Sequence, residues 1–200
     1  IGVRLVGSEM CIRDSYNSKM QSKPDLRKKL RQQRCAITGK IRSKATIAIE
    51  KNILRQLNQG IGKIAFYEAV GSELNLTHCA QQIKQRYPHC DLYVPIYYHF
   101  SRRLWWVPYW AKNKRRQKRY SLQSMDQVLV PLLGIDQTGH RLGQGGGYYD
   151  ASFCRILLKK HPVKIGVGFA CQLLNKPLPA QAHDQRLHQF ICEHGTIKFS

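Results

Sequence analysis

The sequence predicts an α/β protein, a mostly parallel sheet with helices on both faces, folded as a single domain. Short apolar runs of strand type alternate along the chain with segments in which apolar residues recur every three to four positions. The run 127–133 (QVLVPLL) is apolar almost throughout, the pattern of a strand covered on both faces. A length of 200 residues suits one domain with an ordinary core.

Residues 25–38 read as a basic amphipathic helix. Leu26, Leu30 and Ile37 fall near one face, Arg27, Lys28, Arg31 and Arg34 occupy the rest, and Pro24 and Asp25 suit its start. A second helix covers about 43–58, because Ala45, Ile49, Ile53 and Leu57 repeat every four residues. Ser43 is its expected cap, and Gly60 and Gly62 end it. The period then changes. Residues 63–69 (KIAFYEA) form a strand-like run, and 75–87 return to helical spacing through Leu76, Ala80, Ile83 and Tyr87. Residues 91–98 alternate Leu92, Val94 and Ile96, although Pro95 favours an edge or a bulge, and 103–109 (RLWWVPY) are placed to pair with them as a hairpin. After the strand at 127–133, residues 148–160 read as a helix with Phe153, Ile156 and Leu157 inward, and 163–169 (VKIGVGF) as a strand. There are no internal repeats.

Residues 1–15 (IGVRLVGSEMCIRDS) fit no element. Arg4, Glu9, Arg13 and Asp14 interrupt the apolar stretch that a secretory signal would need, and no run in the chain has the length of a membrane span. The segment resembles the translation of a sequencing adapter joined in frame. Residues 1–19 are therefore expected to be a non-native or disordered tail, and the domain to span 20–200, starting at or near Met20. The net charge of +21 calls for an anionic partner: nucleic acid, an acidic membrane surface or a polyanionic small molecule. The seven cysteines show neither C-x-x-C pairs nor zinc-site spacing, and most stand beside apolar residues. Buried free thiols in a reducing compartment, and hence the cytoplasm, are expected.

Residues 112–119 (KNKRRQKR) hold six basic residues in eight. A solvated loop is the plain alternative. The sharper readings are a nucleic-acid patch, with Trp105, Trp106, Tyr109 and Trp110 as stacking rings, or a clamp for an anionic substrate tail. The rings fall on both faces of an expected strand, which puts at least half of them in the core.

The chemistry concentrates in 134–150 (GIDQTGHRLGQGGGYYD), between a strand and a helix. Gly143, Gly145, Gly146 and Gly147, interrupted by Gln144, can turn sharply and present successive backbone N–H groups to an anion. The helix start behind them aims its free amides at the same place. Arg141 adds a forked cation suited to phosphate, and Asp150 is placed to hold a magnesium ion bridging phosphate oxygens. The alternative is a flexible turn with an ordinary first-turn Asp. The pattern is neither G-x-x-x-x-G-K-[ST] nor the dinucleotide G-x-G-x-x-G.

With 128–150 (VLVPLLGIDQTGHRLGQGGGYYD), 165–174 (IGVGFACQLL), 178–184 (LPAQAHD), 25–34 (DLRKKLRQQR) and 66–76 (FYEAVGSELNL), the sequence resembles the 5-formyltetrahydrofolate cyclo-ligase family. The resemblance implies a NagB/RpiA/CoA-transferase-like fold. It also implies ATP-dependent cyclisation of 5-formyltetrahydrofolate to 5,10-methenyltetrahydrofolate, with ADP and phosphate released. ATP is then a co-substrate and Mg²⁺ its counter-ion. Arg27 and Arg31 match the basic positions of the first helix that reach ATP phosphates. Arg141, Gly143, Gln144, Gly145, Gly146, Gly147, Tyr148 and Tyr149 match the ATP loop, and Asp150 its metal ligand. Arg141 and Tyr149 are the expected catalytic positions, and Glu73 and Tyr149 the expected folate contacts. The partner is a reduced folate, with polyglutamylated forms suited to the basic charge, taken up by a monomer away from membranes and nucleic acid. The competing readings are a nucleic-acid-binding protein and a degenerate family member that binds without turnover.

Two departures accompany the resemblance. The family's longer segment before the strand at 127, with its aromatic-Gly-Ile-x-Glu-Pro stretch, is reduced here to Tyr120-Ser121-Leu122. His188 stands where some members place a second acidic residue, so Asp184 is expected either to support the site or to cap a loop.

Overall fold

Helix α1 (Lys23–Ala36) begins two residues ahead of its expected start, because Ser22 accepts from the Asp25 amide and Pro24 occupies the first turn. Helix α2 (Gly39–Gln56) likewise begins ahead of Ser43, whose hydroxyl donates to the Gly39 carbonyl instead of capping. The computed structural model describes residues 22–57, 60–98, 100–156, 162–181 and 184–199. The expected tail at 1–19, Met20 and the inward Leu157 lie outside the described residues.

Strand β1 (Lys63–Ala65), helix α3 (Thr77–Arg86) and the hairpin of β2 (Asp91–Tyr98) and β3 (Ser101–Pro108) follow. Next come β4 (Gln127–Pro131), β5 (Gly134–Asp136), β6 (Arg141–Leu142), α4 (Tyr148–Phe153), β7 (Val163–Val167), β8 (Leu173–Leu174), β9 (Gln189–Cys192) and β10 (Gly195–Lys198). Helix α4 ends at Phe153, well short of the expected residue 160, although Phe153 is 2 % exposed and Ile156 packs on the same core.

The main sheet has the order β10-β9-β7-β4-β1-β2-β3. Its five central strands pair in parallel, and β10 and β3 close the two edges antiparallel. The mostly parallel α/β architecture expected from the sequence is borne out. Val128, Leu129 and Val130 are at most 1 % exposed, as a central strand covered on both faces requires. Pro95 lies beyond the last β2 residue paired with β1, so its missing amide breaks no ladder bond there, and a register shift follows between Ile96 and Tyr98.

One face packs on helices α2 and α3, through Ala45, Ile49 and Ile53 of α2 and Cys79, Ala80 and Ile83 of α3. The other is covered more sparsely, by Phe153 of α4 and by Leu122 and Met125 from the segment before β4. Three cysteines of the six described, Cys79, Cys90 and Cys192, are buried; Cys35, Cys154 and Cys171 are exposed, so burial holds for half of them. All six are free thiols, and burial pushes Cys90 up to about 11.

A second sheet, β6-β5-β8, sits beside α1 around Leu30, Leu133, Leu142 and Leu178. Asp136 ties its hairpin together. One carboxylate oxygen accepts from the Thr138 amide and hydroxyl and the His140 amide, the other from the Leu178 amide. Burial works to raise its pKa, but these hydrogen bonds outweigh burial and hold it below the ordinary value. A depressed folded-state value adds stability above the unfolded Asp value near ~3.9. That stability disappears as pH falls through the folded value. We therefore expect Asp136→Asn to cost about 1–3 kcal/mol near neutral pH by leaving an amide unpaired. Urea midpoints of variant and wild type should converge as the pH is lowered; a gap independent of pH would contradict this account.

Candidate active site

Strand order creates the site. From β1 the chain runs outward to β2 on one side, and β4 then returns to β1's other side, so the order reverses between β1 and β4. Loops leaving the carboxyl ends of strands diverge at such a switch point and leave a crevice. Here the crevice is a cleft of about 920 Å³. Its walls include Tyr67, Glu68 and residues 70–73 after β1, Pro131 at the end of β4 and Leu132 beyond it, Tyr97 of β2, one side of α1, and the glycine-rich loop with the start of α4. Every site residue expected from the sequence lines it: Arg27, Arg31, Glu73, Arg141, Gly143, Gln144, Gly145, Gly146, Gly147, Tyr148, Tyr149 and Asp150.

The glycine-rich loop can do what its composition suggested. Gly145 and Gly147 have φ of 106° and 67°, a region side-chain-bearing residues avoid. The amides of Gln144, Gly145, Gly146 and Gly147 donate to no other group among the described residues. Arg27 secures the loop by donating from Nε to the Gly143 carbonyl (3.0 Å), and Arg31 donates to Gln144 Oε1 (2.9 Å). Helix α4 has only six residues, so the positive end of a helix contributes less here than the expected longer helix would.

Asp150 sits in the first turn of α4, and Arg141 reaches it from β6 with a 2.8 Å ion pair to Oδ1. The other end of the Arg141 guanidinium donates to the Gln185 carbonyl at 2.6 Å, while the Gln185 amide donates back to Asp150 Oδ1. Burial pushes Arg141 below its ordinary pKa and the Asp150 carboxylate pushes it back up. Both guanidinium ends are thus engaged by protein. The forked cation expected at phosphate instead holds Asp150, whose Oδ2 has no hydrogen-bond partner among the described residues. No group of three or more His, Cys, Asp or Glu side chains stands together among those residues. Asp150 thus suits a cation that takes most of its ligands from phosphate oxygens and water.

Asp184 accepts from the Gln181 amide and pairs with Lys23, both at 2.8 Å, so it caps its loop and ties that loop to α1. His188 accepts from the Lys164 amide at 3.0 Å; burial first, then Lys164, lower its pKa.

Also in the cleft, Glu73 accepts from the Val70 amide through one oxygen and from Gln144 Nε2 (3.3 Å) through the other. Gln144 therefore links Arg31 on α1 to Glu73 in the loop after β1. Tyr149 contributes a buried hydroxyl without a hydrogen-bond partner among the described residues, and burial holds its phenol well above the usual range. Arg34 overturns a reading made from sequence, where it belonged to the solvated face of α1. It is 2 % exposed, donating to the Ser72 hydroxyl and the Leu132 carbonyl, and so joins the loops after β1 and β4. No local signal marks it, because a basic residue on a basic helix reads as solvated.

The basic segment 112–119 lies at the cleft rim, since Lys114 pairs with Glu68, a cleft residue. Its neighbouring rings do not form a platform. Trp106 is fully buried, Arg103 covers Trp105 at 4.0 Å, and Trp110 is half exposed. The shortened segment after it is packed rather than gapped: Tyr120 exchanges two backbone hydrogen bonds with Trp106, and Leu122 and Met125 are buried.

These features define an α/β protein with a cleft of small-molecule size at the switch point of its sheet. The chain belongs to the 5-formyltetrahydrofolate cyclo-ligase family, whose model matches residues 19–193. It is similar to the 5-formyltetrahydrofolate cyclo-ligase of Haemophilus influenzae, 23 % identical over 186 residues that cover 86 % of this chain and 97 % of that one. The solved structure of a 5,10-methenyltetrahydrofolate synthetase from Mycoplasma pneumoniae superposes with a TM-score of 0.74 at 23 % identity, covering 86 % of this chain and 99 % of the other. The synthetase from Aquifex aeolicus gives 0.73 at 22 % identity, covering 88 % and 92 %. Both share the fold.

Proposed function

We propose that the protein closes 5-formyltetrahydrofolate to 5,10-methenyltetrahydrofolate at the expense of ATP, within the cleft between β1 and β4. The observation that supports this most directly is the bridge Arg31–Gln144–Glu73, which joins the phosphate-suited loop to a carboxylate in the loop after β1. The two substrates must meet, because the formyl oxygen attacks the terminal phosphorus and ADP leaves. N10 then attacks the activated carbon, and phosphate departs. The protein's part is positioning and charge neutralisation.

In this reading the free amides of residues 144–147 hold phosphate oxygens, with Arg27 and Arg31 adding charge from α1. Arg141 orients Asp150, and Asp150 presents Oδ2 to magnesium; a bound magnesium ion would neutralise the phosphates. Glu73 pairs with N–H donors of the pterin ring, and the orphan Tyr149 hydroxyl finds its partner on the folate. We take the protein to act as a monomer, within a domain spanning 20–200.

The basic segment at the rim suits the carboxylates of a polyglutamate tail. The buried and covered tryptophans argue against a stacking surface for nucleic acid. No helix among the described residues is long and apolar enough to cross a membrane. The free thiols suit a reducing compartment, and we place the protein in the cytoplasm.

Purified protein beginning at Met20 should form the methenyl product, followed by its near-ultraviolet absorbance, only when ATP, magnesium and 5-formyltetrahydrofolate are all present. Folate polyglutamates should show a lower KM than the monoglutamate, with the difference shrinking as salt is raised. Folate binding without product would point to a degenerate member, and salt-sensitive RNA binding without product to a nucleic-acid protein.

A further inference from the structure

Strand β3 carries two adjacent arginines with different surroundings. Successive residues of a strand point to opposite faces. Leu104 and Trp106 lie in the core beneath α4, and Arg102 shares their face at the cleft end of the strand. Arg103 points the other way and stacks on Trp105. The Ser152 hydroxyl fixes β3 against α4, accepting from the Leu104 amide at 3.0 Å and donating to the Tyr148 carbonyl at 2.8 Å. This brace holds the backbone two residues from Arg102 against the helix that follows the glycine-rich loop.

Arg102 Nη1 stands 3.8 Å from where a Cβ on Gly147 would lie, and Arg27 Cζ 3.5 Å from the same point on Gly145. Two guanidinium groups therefore flank the free amides of the loop, one from α1 and one from β3. Arg27 is anchored to the Gly143 carbonyl. Arg102 lines the cleft yet makes no hydrogen bond, ion pair or ring contact among the described residues.

We propose that Arg102 is a further ATP-binding residue, gripping the polyphosphate from the side of the loop opposite Arg27. The proposal rests on reading the cleft as the ATP site. A guanidinium is matched to two phosphate oxygens at once, and an exposed cation that replaces water at a phosphate forms a charge-assisted pair without breaking an existing one. The free amides and the two flanking cations would then surround the phosphates on three sides.

The test is titration calorimetry of the full chain with ATP and with AMP, both with magnesium, for wild type, Arg102→Gln and Arg103→Gln. Arg102→Gln should weaken ATP binding roughly tenfold or more and AMP binding less than about twofold, the scale of one charge-assisted pair to the outer phosphates. Arg103→Gln removes the same unit of charge from the neighbouring position and should leave ATP affinity within about twofold of wild type, which separates contact from bulk attraction. Equal losses in the two variants, equal losses for ATP and AMP, or wild-type ATP affinity in Arg102→Gln would each overturn the proposal. A rise confined to the KM for 5-formyltetrahydrofolate would overturn it too and make Arg102 a folate carboxylate contact. Calorimetry needs no turnover, so failure of the wild type to form the methenyl product would sink the functional reading separately from this one.

Discussion

Asp150→Asn should lower turnover by about two to three orders of magnitude, the usual loss when one preorganised charge at a phosphoryl-transfer site is removed. The substitution is conservative in shape. Asn keeps Oδ1, so the bonds from Arg141 and the Gln185 amide survive, and its new amide group replaces Oδ2, which has no hydrogen-bond partner among the described residues. Stability should fall by only about 1 kcal/mol, the difference between a charged and a neutral acceptor. The thermal midpoint and the absorbance assay together check both halves. Full activity in a folded variant would remove Asp150 from the metal assignment.

Arg141→Met should be the most destabilising change in the cleft. The Arg141 side chain is 5 % exposed, and the variant takes the cation from the Asp150 carboxylate, which keeps only the Gln185 amide, and the donor from the Gln185 carbonyl. Breaking a buried pair from one side costs roughly 3 kcal/mol here, the low end of the range, because Asp150 keeps 26 % of its surface exposed. For a domain of this size the midpoint should drop by about 6–12 °C. Turnover should fall at least as far as in Asp150→Asn, since an unheld carboxylate no longer presents Oδ2. In the double variant the stability losses should be less than additive, because each substitution removes part of the same pair. Strict additivity would mean that Arg141 acts independently of Asp150.

Much of this site was legible because its determinants are local. Four glycines within five residues, followed by Tyr148-Tyr149-Asp150, define a phosphate-suited turn whatever surrounds it. The helices at 23–36, 39–56 and 77–86 were legible for the same reason, since a 3.6-residue period is written into each segment. Short elements were not. Strands β5, β6 and β8 have two or three residues each, too few for any period, and exist only because they pair with one another. Strands β9 and β10, between Gln189 and Lys198, mix polar and apolar residues as a sheet margin does, and only pairing with β7 reveals β9 as a strand. Asp136 reads as an ordinary turn residue until the Leu178 amide, far along the chain, completes its set of donors. Ser43 and the expected extension of α4 show the opposite error, where local propensity named a cap and a length that the packing did not use.

The sequence by itself determined the alternation of helices and strands, the α/β class, the glycine-rich loop and Asp150, because each depends on residues near one another along the chain. The tertiary structure alone decided which of the many cations serve the cleft. Arg34 became a buried brace, Arg141 the partner of Asp150, Arg103 a cover for Trp105, and Arg102 a cation beside the loop with no partner among the described residues. It also decided that Glu73 and Gln144 should meet. That meeting follows from β4 pairing with β1 across a long stretch of intervening chain. Strand order is set by long-range burial and pairing, and no local pattern of residues encodes it.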